Sequence, residues 1–238
     1  MKLKIWFGIL LAVLIPAAAS AHSIGVNFVG KDASSSTLAA TDRAGVVPQK
    51  HWNNLAIDSS DPNGHSNGGN LYKLKDNSGK TVAGASASIT ALAGHGIWAG
   101  DGASWGFSGA NLTLQKGTIG PCPQITIKGI PYARYDVYVY ATAGVNGGLA
   151  KIHINRAAGS TGSVDHTSTY FCNYNWQGGK FVVSKATTLA AAKASKGSNY
   201  VVFKGNTAKS ITLRCNGALA SWIGFSGVQI VDAAHGGK

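Results

Sequence analysis

Aromatic rings beside side-chain amides are the feature of the sequence most suggestive of chemistry. Several lie on segments bounded by glycine or asparagine and not on alternating strands. A flat ring can stack on a sugar while a neighbouring amide hydrogen-bonds its hydroxyl groups. The candidate glycan-binding residues are Trp98, Trp105, Asn173, Tyr174, Asn175 and Trp176. The alternative is that these rings cap the ends of a β-sandwich.

Histidines offer a second possibility, a copper site. Cleavage after Ala21 would make His22 the N-terminal residue, whose amine and imidazole could chelate a metal together with a second histidine. Imidazole suits copper, and this arrangement is similar to that of the copper histidine-brace proteins, which include the lytic polysaccharide monooxygenases. No spacing singles out the second ligand, for which the candidates are His51, His65, His95, His153 and His166. We would test His51 first, because it lies in a polar and aromatic cluster. The alternative is that signal peptidase happens to leave a histidine.

A turn-rich loop could supply oxygen ligands to calcium. Asp58, Asp61 and Asn63 are the candidate ligands, although their spacing does not fit an EF-hand. Asp and Asn also act as local backbone acceptors in turns, which explains the same residues without a metal. We therefore expect no cofactor, with Ca²⁺ and copper as the alternatives.

Catalytic motifs are weak, which favours a protein without enzymatic activity. The segment 102–106 matches G-x-S-x-G, but a serine nucleophile needs a strand before it and a helix after it, and the pattern predicts a strand over 110–114. The chain contains no Glu, so a glycosidase would have to use two of its nine Asp residues. The available Asp pairs are typical of structural positions.

The charge balance favours a polyanionic partner. The chain has 21 Lys and Arg against nine Asp, a net charge of +12. Such a field attracts acidic polysaccharide or another polyanion at the cell surface, although it also simply keeps a protein soluble. Lys2, Lys4, an apolar run over 5–15 and Ala19-Ser20-Ala21 predict a signal peptide over 1–21 and secretion to the periplasm or the extracellular space.

The remaining chain, 22–238, is expected to form a single domain with no membrane span. Alternating hydrophobic residues predict strands over 22–30, 71–74, 81–83, 86–92, 151–155, 181–183, 200–203, 210–214 and 223–231. The segment 124–140 predicts two further strands, joined by a corner that contains Pro131. The segment 184–196 predicts the one short helix, with Ser184 as its cap. These elements predict an all-β, antiparallel sandwich of the jelly-roll type.

Three cysteines follow the predicted signal peptide: Cys122, Cys172 and Cys215. An oxidising compartment favours one disulfide. We favour Cys172 with Cys215, although spacing does not determine the pairing.

The segments Ala44 to Gln49 (AGVVPQ), Trp52-Asn53-Asn54 and Tyr135 to Tyr140 (YDVYVY) resemble a group of uncharacterised secreted bacterial proteins, many of which carry an exosortase sorting tail. The resemblance implies a galactose-binding-like jelly roll, although we expect this chain to be without the sorting tail. It also implies that the VVPQ segment forms a corner of the fold and that Trp52 is a plug over the core. The sequence thus predicts a secreted, non-catalytic protein that binds a glycan or anionic polymer. A copper histidine-brace protein and a structural matrix or surface-layer component are the alternatives, and the oligomeric state stays open.

Overall fold

The computed structural model describes residues 22–30, 32–56, 65–66, 68–91, 97–101, 106–121, 123–144, 146–156, 168–220 and 223–236. The sequence-predicted calcium ligands Asp58, Asp61 and Asn63 lie outside these residues. So do the segment 1–21, for which we predict a signal peptide, and the residues Trp105 and Cys122. For Trp98 the backbone alone is described.

The described chain consists mainly of strands. The strands are β1 (Ser23–Val29), β2 (Asn53–Ala56), β3 (His65–Ser66), β4 (Gly68–Tyr72), β5 (Ser86–Ala91), β6 (Ile97–Asp101), β7 (Gly117–Pro121), β8 (Pro123–Lys128), β9 (Tyr135–Ala143), β10 (Leu149–Arg156), β11 (Thr169–Asn173), β12 (Tyr200–Asn206), β13 (Ser210–Ala220) and β14 (Ile223–Asp232). The helices are α1 (Ala33–Ser36), α2 (Gly109–Lys116), α3 (Leu189–Ala194) and α4 (Ala233–Gly236), with a 3₁₀ turn at Gln177–Gly179.

The described strands form two sheets. The eight-stranded sheet has the order β12-β9-β14-β7-β6-β3, with β1 paired to β14 and β2 paired to β1. The six-stranded sheet has the order β11-β10-β13-β8-β5-β4. Every pairing is antiparallel except that of β1 with β2. This architecture confirms the prediction of an all-β sandwich.

The main core lies between the two sheets. Strand β8 supplies Ile125 and Ile127 from one side, and β9 supplies Val137 and Val139 from the other. Strand β1 was expected to be half-buried, but all seven of its residues are buried. It pairs on both edges, and a second cluster that includes Trp52 and Leu114 covers the outer face of its sheet.

Helix α2 replaces the strand that we expected over 110–114. Its run of Ala, Leu, Gln and Lys residues favours a helix, and burial of Leu114 against the outer face of the eight-stranded sheet stabilises it. A strand, β6, and a helix therefore do flank the G-x-S-x-G segment. The prediction of a strand after this segment, which argued against a serine nucleophile, is therefore wrong. Ser104 itself lies outside the described residues.

Helix α3 is shorter than the predicted 184–196, and its cap is Thr188 and not Ser184. The hydroxyl of Thr188 accepts a hydrogen bond from Ala191 N at 3.2 Å. The hydroxyl of Ser184 instead donates to Phe171 O at 2.6 Å, which holds the chain extended beside β11. Of the expected strand over 181–183 the structure retains a single bridge, from Val183 to Tyr200. A bridge from Lys75 to Thr81 likewise stands where a strand was expected over 81–83.

No disulfide joins Cys172 to Cys215, so the favoured pairing is wrong. Cys172 lies on β11 and Cys215 on β13, and β10 runs between these two strands. Two strand spacings, about 9–10 Å, exceed the distance between Cα atoms that a disulfide spans. Both cysteines are buried at 0% exposure, and burial raises the pKa of the Cys172 thiol to about 11.

Within the residues described, no helix is both long and apolar enough to span a membrane.

Candidate binding face

The segment from Ala44 to Gln49 is a turn that is fastened to the eight-stranded sheet by buried hydrogen bonds. Ala44 and Gln49 pair at its base, and Gly45 adopts a φ of 96° that favours glycine. Gln229 on β14 donates to Val47 O at 2.6 Å and to Gln49 Oε1 at 2.9 Å. Its own Oε1 accepts the Tyr140 hydroxyl at 2.9 Å.

Tyr140 completes this network, because its hydroxyl oxygen also accepts Val46 N at 2.8 Å. Burial raises the pKa of the Tyr140 phenol, so it stays neutral and can donate. Trp52 donates from its indole N–H to Gln49 O at 3.2 Å and is 5% exposed. Trp52 is thus the plug that was expected, and the polar groups of the turn are used inside the protein.

The two asparagines after Trp52 are also used internally. Asn53 donates to Gly25 O and Lys75 O and accepts Lys75 N, each at 2.8 Å. Asn54 accepts Leu38 N at 3.0 Å and donates back to Leu38 O at 2.8 Å. Their amides bind the chain to itself, so this segment positions strands and is not our candidate for a ligand site.

His22 and His51 both lie near the turn Asp76–Lys80. A Cβ atom at Gly79 would come within 3.0–3.2 Å of the His51 ring. Asp76 interacts electrostatically with His22, and the neighbouring Ser23 exchanges hydrogen bonds with Asn77. The described part of the chain contains no group of three or more His, Cys, Asp or Glu residues that could hold a metal. The copper site therefore stays a prediction.

The predicted aromatic and amide cluster is only partly at the surface. Tyr174 is 0% exposed, and burial raises the pKa of its phenol to about 12. Asn173 donates to Ala192 O at 3.2 Å, and Asn175 Oδ1 accepts Gln177 N at 3.0 Å. Trp176 packs half-buried against the main core. The ring of Tyr174 cannot stack on a sugar in this position, whereas Trp176 keeps part of its surface exposed.

A cleft of about 300 Å³ lies next to this cluster, between α3 and the extended chain before it. Its hydroxyls come from Ser184, Ser195 and Ser198. Ser184 and Ser195 donate to the backbone oxygens of Phe171 and Ala192. Ser198 contacts the Cys172 thiol at 3.3 Å. Since its hydroxyls are engaged within the protein, the cleft offers little to a ligand.

The solvent side of the six-stranded sheet presents a different surface, which we call the polar face. Side chains alternate on each strand, so Ile125 and Ile127 enter the core while Gln124, Thr126 and Lys128 face outward. The same alternation holds on the neighbouring strands. The polar face consists of Asn70, Tyr72, Ser86, Ser88, Thr90, Gln124, Thr126, Lys128, Lys151, His153, Asn155, Thr169, Phe171, Ser210, Thr212 and Arg214.

Cross-strand hydrogen bonds order these side chains. Arg214 donates from Nε to Gln124 Oε1 at 2.8 Å, and the Gln124 amide reaches Thr90 Oγ1 at 3.5 Å. The hydroxyls of Thr126 and Thr212 are 3.1 Å apart. His153 bonds Thr169 at 2.8 Å. The bond at Nε fixes the plane of the Arg214 guanidinium and leaves its outer N–H groups for a ligand.

The charge of the polar face has one sign. None of its six strands contains Asp or Glu, and Lys128, Lys151 and Arg214 are exposed on it. The pairing registers and ordinary strand dimensions put the Cα atom of Arg214 about 8 Å from that of Lys151 and about 14 Å from that of Lys128. The three cations form a diagonal line about 22 Å long. Tyr72, 71% exposed, stands at the β4 edge.

Sequence analysis missed the polar face because it depends on register. The alternation over 124–128, 151–155 and 210–214 showed which side chains face outward. It did not show that β8, β13 and β10 are neighbours, which brings three separate cations onto one surface.

Known proteins add no assignment: no family model matches the chain, and no match was found among curated proteins or solved structures.

Proposed function

We propose that this chain is a secreted, non-catalytic protein that binds an anionic glycan or another anionic extracellular polymer through the polar face. The observation that carries the proposal is the one-signed charge of this face, on which exposed cations stand among hydroxyls and amides while its six strands contain no acid. An anionic ligand meets attraction there and no carboxylate that would repel it.

The spacing of the cations favours a polymer over a small anion. One exposed ion pair contributes only about 0–1 kcal/mol. An extended chain about 22 Å long could engage Lys128, Arg214 and Lys151 together. Between the cations, the hydroxyls of Thr126 and Thr212 share one hydrogen bond and keep further capacity for sugar hydroxyls. Both ring nitrogens of His153 are bonded within the face, to Thr169 and Asn155. Phe171 and Tyr72 supply partly exposed rings at opposite sides of the sheet.

Calorimetric titration with two polysaccharides tests the proposal. Polygalacturonate supplies a carboxylate on each sugar, whereas dextran is a neutral control. We expect binding of polygalacturonate at low salt that weakens as salt screens the exposed charges, and no binding of dextran. Absence of polyanion binding at low salt would contradict the proposal. Self-assembly of the protein in the same solutions, seen by light scattering, would then support a structural matrix role.

A further inference from the structure

Four polar side chains are fully buried beneath α2. Asn27, Gln115, Thr118 and Ser226 are each 0% exposed. Among the described residues, no hydrogen-bond partner exists for Asn27 Oδ1, for either amide atom of Gln115, or for the hydroxyls of Thr118 and Ser226. Native proteins satisfy most buried polar groups, and five unpaired atoms together would cost a large share of a typical free energy of unfolding.

These side chains converge on Gly227. Strand pairing places Asn27 directly opposite Gly227, and Ser226 is the preceding residue. Phe225 pairs with Ile119 in an antiparallel register, and Ser226 and Thr118 each adjoin one residue of this pair. The register of β14 against β9 shifts between Phe225 and Gly227, so Ser226 is the extra residue of a β-bulge. Ile119 faces the main core, so alternation places Thr118 on the outer side of β7. Ser226 adjoins Gly227, whose Cβ position faces Leu114 of α2 on the outer side of the sheet.

Helix α2 closes this group from above. A Cβ atom at Gly227 would lie 2.8 Å from Leu114 Cδ1, so the last turn of α2 rests on Gly227. Gln115 follows Leu114 and lies three residues before Thr118. The helix thus carries its buried amide to the side of the sheet where the other three polar side chains lie.

The chemistry of the cluster selects its ligand. The unpaired amide oxygens of Asn27 and Gln115 accept hydrogen bonds, and the Gln115 amide nitrogen donates them. The hydroxyls of Thr118 and Ser226 can do either. None of the four side chains carries a charge, so a divalent cation would find no carboxylate to balance it. Water both donates and accepts and occupies buried polar sites of this kind. We infer that a buried water site lies between α2 and the outer side of β1, β7 and β14, and that the helix is hydrogen-bonded to the sheet through it.

A crystal structure and water–protein ROESY spectra of the wild-type protein test the inference. We expect water within hydrogen-bonding distance of at least two of the four side chains, and exchange cross-peaks between water and the Gln115 side-chain amide. Direct bonds from these side chains to other protein groups, a metal in the site, or no cross-peak would overturn it.

A substitution separates a hydrated site from a dry one. In a dry site, Gln115→Leu removes an unpaired amide and raises the melting temperature. In a hydrated site, the same substitution breaks hydrogen bonds to water and lowers the melting temperature. We expect a lower melting temperature for Gln115→Leu and little change for Lys193→Leu, which alters an exposed residue of another helix. A rise in the melting temperature of Gln115→Leu would contradict the water site.

Discussion

Replacing Tyr140 by Phe tests whether the turn Ala44–Gln49 is fastened to the sheet by its buried network. The substitution removes one hydroxyl and keeps the ring, so packing against Trp52 is retained. Two hydrogen bonds disappear, the one donated to Gln229 Oε1 and the one accepted from Val46 N. Each is worth about 1 kcal/mol, and leaving their partners buried and unpaired adds to the loss. We expect the free energy of unfolding to fall by about 2–4 kcal/mol.

Tyr200 provides the matched control. Its ring lies 6.2 Å from that of Tyr140, and no hydrogen bond from its hydroxyl is present among the described residues. We expect Tyr200→Phe to change stability by less than about 0.5 kcal/mol. Urea unfolding measures both variants, and hydrogen exchange of the Val46 amide should quicken in Tyr140→Phe alone. Equal stabilities for the two variants, with an unchanged Val46 exchange rate, would refute the network as the attachment of this turn.

Three further predictions concern other buried or hydrogen-bonded groups. Cys172 should resist alkylation in the native protein and react after unfolding, because burial raises its pKa to about 11; mass spectrometry measures the labelling, and rapid native labelling would contradict this. Burial raises the pKa of Asp76, but hydrogen bonds from Ser78 and the Lys80 N–H outweigh burial and lower it. A lowered pKa stabilises the fold above the unfolded value of about 4 and loses this effect as pH falls. Asp76→Asn should therefore lose about 1 kcal/mol near neutral pH and little in acid, as denaturation at several pH values would measure. Asn199→Ala should lose about 2–3 kcal/mol in urea unfolding, because the amide donates to Lys180 O and accepts Val182 N; an unchanged midpoint would contradict it.

Alternation predicted the strands that use one face for the core. The segments 124–128 and 210–214 carry regular hydrophobic positions, and each lies in a strand. The segment 110–114 also alternates, yet it folds as part of α2, because burial of Leu114 and Gln115 on the outer side of the sheet decides between helix and strand. A short apolar pattern carries no information about such a tertiary partner.

The candidate site was the harder part to predict. Rings and amides near Tyr174 suggested a surface, but the fold places the Tyr174 ring inside the core. Lys128, Lys151 and Arg214 attracted no attention in the sequence because they are far apart along the chain. Their proximity follows from the order β10-β13-β8, which results from long-range pairing.

Neutralising the polar face tests the central claim most directly. The variant Lys128→Gln, Lys151→Gln, Arg214→Gln removes its three exposed cations. The matched variant Lys180→Gln, Lys193→Gln, Lys204→Gln removes three exposed lysines that lie outside the face. At up to 1 kcal/mol for each contact, we expect the affinity for polygalacturonate to fall about tenfold or more in the first variant. The second variant should fall much less. Equal losses in both variants would show that the net charge binds the polymer and that the polar face does not.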